Sequence, residues 1–242
     1  MTTVYAYMHQ DSWDYSVKSL CNLTGPCKPL YYSSSEISRG QRKLIADHQS
    51  FELFLKKNST GFFLSSSKVK IMFLRRGTGK YFTISVHESK GKLSVDDCLS
   101  ILRALSIAGL RFGFGCDSDE YYSRNRYYTQ IGANSIEAWV GRDLSRYLPG
   151  LYWITCLHSE ELLRLKLDAS AFPEYFSKPM ISEDYCAMQY YESAVDWKLH
   201  QARLDDACFA NPNIFSLRRI LPELVKSSNN YADFNSSLRN WP

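Results

Sequence analysis

Two stretches of alternating hydrophobicity, followed by an amphipathic helix pattern, constrain this chain more than any other feature. Val69, Ile71 and Phe73 alternate with Lys68, Lys70 and Met72, and Phe82, Ile84 and Val86 alternate with Tyr81, Thr83 and Ser85. That period of two is what strands half-buried in a sheet require. Between them Arg75-Arg76-Gly77-Thr78-Gly79-Lys80 reads as a basic hairpin turn. It is not a phosphate loop, because the glycine and lysine spacing is incomplete and no helix follows Lys80. Ser94 stands three residues before Asp97, an N-cap with a near capping box. Val95, Leu99 and Leu102 form one stripe of the predicted helix, and Cys98, Ile101, Leu105 and Ala108 form another beside it. A helix apolar over so wide an arc is buried against a sheet, and Gly109 ends it. Strand, strand, helix predicts an α+β fold: an antiparallel or mixed β-sheet with helices packed on one or both faces.

The flanks are read around that unit. Residues 1–37 are aromatic and irregular, with turns at Gly25-Pro26 and Lys28-Pro29, and the α+β domain is expected over 38–242. Leu44, His48, Phe51 and Leu55 share one helix face. Phe112 to Phe114 predicts a short strand leading into an exposed acidic loop, Cys116-Asp117-Ser118-Asp119-Glu120-Tyr121-Tyr122. Ile136 to Tyr147 reads as a helix and Leu151 to Leu157 as a buried strand. Ser159 then reads as the cap of a short helix with Glu160 and Glu161 in its first turn. Loop is expected over 169–183 and a strand over Cys186 to Tyr191. Val195, Leu199 and Ala202 give the next helix its apolar stripe, and Pro222 keeps any final helix short.

Composition narrows the function classes. Of 242 residues, 45% are hydrophobic and 22% charged, as in globular chains, and the net charge of +4 is too small to mark a nucleic-acid binder. The charge is uneven: residues 51–100 carry nine Lys/Arg against four Asp/Glu, and residues 151–200 carry four against eight. Such asymmetry predicts faces of different electrostatic character. No stretch reaches the roughly 20 apolar residues of a membrane span, and the first twenty residues are too polar for a secretion signal. A cytoplasmic protein is expected, with its seven cysteines, an odd number without a CxxC pair, as reduced and mostly packed thiols.

No complete catalytic or metal constellation is legible, so no catalytic residue, metal or cofactor is expected. Cys156 and His158 share a strand face, but neighbours two apart rarely have the aim for proton transfer. Asp196 and His200, four apart, lack the further ligands of a metal site and read as a surface ion pair. The Asp117–Glu120 carboxylates miss the spacing of a calcium loop.

Leu148-Pro149-Gly150-Leu151-Tyr152-Trp153-Ile154-Thr155, followed by an acidic helix start, resembles the proline-glycine-aromatic-tryptophan segment of immunity proteins of bacterial polymorphic toxins, including those that neutralise type VI secretion effectors. Met188-Gln189-Tyr190-Tyr191 leading into Val195-Asp196-Trp197 is similar to the strand-then-tryptophan segment of the immunity-protein-52 type. The resemblance covers residues 65–225. It implies a single-chain α+β inhibitor, monomeric or homodimeric, whose partner is a cognate toxin, often a nuclease of the restriction-endonuclease fold; it transfers no functional residue. The chain departs from the acidic habit of nuclease inhibitors in being net basic. A toxin acting on nucleic acid presents a basic cleft, so the expected contacts are Asp117, Asp119, Glu120, Tyr121 and Tyr122 with Glu160 and Glu161. The competing readings are a nucleic-acid-binding module using Lys68, Lys70, Arg75, Arg76, Lys80, Lys90 and Lys92 with Phe73 and Tyr81, and an enzyme built on Cys156/His158 or Asp196/His200.

Overall fold

The computed structural model describes the chain apart from residues 37–42, 76–79, 140–143, 145–146, 168–171, 180, 213, 216–220 and 240–242. The predicted hairpin is present as β5 (Val69–Leu74) and β6 (Tyr81–Glu88), paired antiparallel with Phe73 opposite Ile84. Most of its expected turn, Arg76 to Gly79, lies outside the described residues. Around the hairpin, β1 (Thr2–His9), β2 (Tyr31–Ser33), β3 (Lys43–Leu44), β4 (Gly61–Ser65), β7 (Leu110–Asp117), β10 (Ile154–His158) and β11 (Tyr185–Gln189) complete a sheet. Its order is β11-β10-β7-β1-β6-β5-β4-β2-β3, with antiparallel neighbours throughout. The fold is therefore α+β on an antiparallel sheet.

The reading of residues 1–37 as irregular is overturned. β1 lies near the middle of the sheet between β6 and β7, and α1 (Trp13–Cys21) follows it. Val4, Ala6 and Met8 are fully buried on one face, while Tyr7 is buried and Tyr5 half-buried on the other. A strand whose second face carries tyrosines in place of polar residues shows no polar alternation, which is why the aromatic run hides it.

One face is sealed by α1 and α3 (Val95–Ile107). Trp13 meets the rings of Phe62, Phe73 and Phe82 edge-on, with centroids 4.8–5.6 Å away. Leu102 packs over Gly113 so closely that a Cβ there would sit 2.6 Å from a leucine methyl. The α3 capping box is complete: Asp97 N–H donates to Ser94 Oγ, and Asp97 Oδ2 accepts from Ser94 N–H. Lys68 adds an ammonium 2.5 Å from Asp97 Oδ2, tying the hairpin to the helix start. Burial alone would raise the Asp97 carboxyl, but bonds from Lys68, Ser94 and the Cys27 thiol hold it down at about 2. A carboxyl depressed in the fold stabilises above its ordinary value of 3.8, and that contribution is lost as pH falls through about 2. Asp97→Ala should cost about 1–2 kcal/mol at neutral pH. Acid titration of thermal stability should also be flatter between pH 4 and 2 in the variant than in the parent; equal slopes would show that Asp97 contributes no linkage.

Further corrections concern local structure. α2 (His48–Lys57) starts at His48, capped by Asp47, so Leu44 lies outside it on edge strand β3; Phe51 is buried and His48 exposed. The helix predicted from Ile136 is strand β9 (Asn134–Trp139), paired with β8 (Arg126–Ile131) through the two-residue loop Gly132-Ala133. The rest of that prediction falls largely on residues outside the described set. Gly132, at φ 59°, opens the loop in the left-handed region that hairpin turns of this length demand. Ile131 and Ile136 pack with Leu221 and Leu224 of α7 (Leu221–Ser227) and Phe234 of α8 (Tyr231–Arg239) in a second, smaller core. Pro222 sits in the first turn of α7, where its missing N–H costs nothing.

Candidate functional site

The expected acidic loop is the end of β7 and the helix α4 (Ser118–Asn125), and most of its candidate contacts are interior. Asp117 is the N-cap: Oδ1 accepts from Asp119 N–H at 2.8 Å, and Oδ2 lies 2.9 Å from the Met1 ammonium. Glu120 is fully buried. Its Oε1 accepts from Arg124 Nη1 at 3.0 Å and its Oε2 from the Tyr191 hydroxyl at 3.0 Å. Arg124 continues to Asp205 Oδ1 at 2.9 Å and to the carbonyl of Leu151, and its guanidinium lies 4.7 Å from the Tyr152 ring centroid. Burial drives the Glu120 carboxyl upward against the opposing pull of Arg124 and Tyr191. Tyr121 is buried and stacks on Tyr5 at 4.1 Å, within a row that continues from Tyr5 to Phe114 at 5.3 Å and from Phe114 to Tyr152 at 4.0 Å.

On α5 (Ser159–Arg164), Glu161 is buried and bonded to Arg164, while Glu160 is exposed and paired with Arg111. His158, not Ser159, caps this helix through Nδ1, which accepts from Glu160 N–H. Asp117, Glu120, Tyr121 and Glu161 are therefore corrected from exposed contacts to structural groups, leaving Asp119, Tyr122 and Glu160 at the surface. They do not form one patch: Tyr122 borders a groove with Glu36 and Glu88, while Glu160 lines a shallow pocket with His9, Arg111 and His158. The groove, about 620 Å³, lies on the sheet face opposite α1 and α3, floored by Tyr5, Tyr7, Met72, Leu74 and Thr83.

The catalytic alternatives also resolve into structure. Cys156 is fully buried, and burial drives its thiol far above its ordinary value, the opposite of what a thiolate nucleophile needs. His200 stacks flat on Tyr191 at 4.6 Å, in place of the expected ion pair with Asp196. Of the hairpin cations, Lys68 is held by Asp97 and Lys70 by Glu36. Arg75 lies over Trp13 at 4.5 Å and donates to the Gln10 carbonyl, and Arg76 is outside the described residues.

What the fold brings together is the pair of segments behind the sequence resemblance, 148–155 and 188–197. Trp153 Nε1 donates to the Tyr191 carbonyl at 2.9 Å, and Tyr190 N–H donates to the Trp153 carbonyl at 2.9 Å. Ile154 opposes Gln189 in the β10–β11 ladder. Both segments close on the Glu120–Arg124 pair, one through Leu151 and Tyr152, the other through Tyr191. Among the described residues, no helix is long and apolar enough to cross a membrane.

No protein-family model matches the chain, and no curated protein matches it. Among solved structures it is similar to a T6SS protein of Pseudomonas aeruginosa, with a TM-score of 0.48 and 11% sequence identity over 88% of this chain and 73% of that one.

Proposed function

We propose that this chain is a cytoplasmic cognate immunity protein that binds a type VI secretion toxin, of nuclease type, and blocks its active site or assembly. The observation that carries the reading is the convergence of 148–155 and 188–197. Two segments similar to those of immunity proteins, some forty residues apart in sequence, lock to each other and to a buried ion pair. In this reading the protein acts by binding rather than catalysis, with a rigid scaffold presenting a surface to the toxin.

The test is coexpression with the toxin encoded beside its gene. Cells making the toxin should survive when the chain is present, and a catalytically dead toxin should co-purify with it in a defined stoichiometry. No protection and no complex would overturn the proposal.

A further inference from the structure

We draw no further inference here: the strongest candidate, the exposed apolar patch that Val195 and, on helix α6 (Trp197–Ala210), Leu199 make beside Tyr175 and Phe176, carries nothing, because Glu174 and Glu192 stand there among Lys178, Lys198 and Arg203 and nothing in the structure shows what covers it.

Discussion

Arg124→Ala should be among the most damaging single substitutions in the chain, costing about 3–5 kcal/mol, a large share of the roughly 5–15 kcal/mol that holds a domain folded. The side chain is 3% exposed and serves Glu120, Asp205 and the Leu151 carbonyl at once. Removing it takes the cation from a fully buried carboxylate, which keeps the Tyr191 hydroxyl and the backbone of Asp117, and leaves a carbonyl without that donor. The cost comes from the uncompensated charge rather than from the strength of the pair. Arg124→Met with Glu120→Leu, which removes the buried pair and keeps the volume but leaves Asp205 to Gln201, should therefore recover part of the stability. Urea unfolding of the three proteins reads the difference; a loss below about 1 kcal/mol for Arg124→Ala would mean that the pair is solvated. The same reasoning shows why reversing Asp117, Asp119 and Glu120 to Lys cannot probe an interface. The Glu120→Lys change alone would place a second cation against Arg124 inside the core, so any lost binding would report unfolding.

Much of the frame was legible because it obeys simple periods. The β5–β6 hairpin alternates cleanly since one face meets solvent in the groove, and α3 is bounded by chemistry that the sequence states outright, Ser94 and Asp97 at one end and Gly109 at the other. β1 was not legible because its groove-facing positions hold Tyr5 and Tyr7, where polar residues would have marked the alternation. β9 was misread because Ile136 suited a helix stripe, although Gly132 four residues earlier offered the turn signal. At the site, Asp119, Tyr122 and Glu160 were placed correctly at the surface. Glu120 was not, since a carboxylate and an arginine four apart describe an exposed helix pair and a buried one equally well. Only the arrival of Asp205 and Tyr191 from distant segments decides between them. Val195 and Leu199 show the converse: the stripe was real, but which side of a helix meets the core depends on the competing Trp197, Leu204 and Cys208.

Trp153 separates scaffold from contact within the segment that carries the resemblance. It is 3% exposed, and its ring reaches to 3.6 Å from where a Cβ on Gly115 would stand. Trp153→Ala should cost about 3–5 kcal/mol, from lost apolar burial and the cavity left under β7 and β11. Trp153→Phe retains most of the area and gives up the Nε1 hydrogen bond. Gln189 Nε2 also donates to the carbonyls of Tyr191 and Glu192, so both keep a donor and the loss should be about 1–2 kcal/mol. The two variants therefore grade stability without touching the exposed residues of α6. If the segment is scaffold, protection against the toxin should fall with stability: nearly intact in Trp153→Phe and lost in Trp153→Ala at 37 °C, with recovery at lower temperature. Loss of protection in a Trp153→Phe protein that remains folded would instead mean that the 190–192 turn held by the indole takes part in the contact.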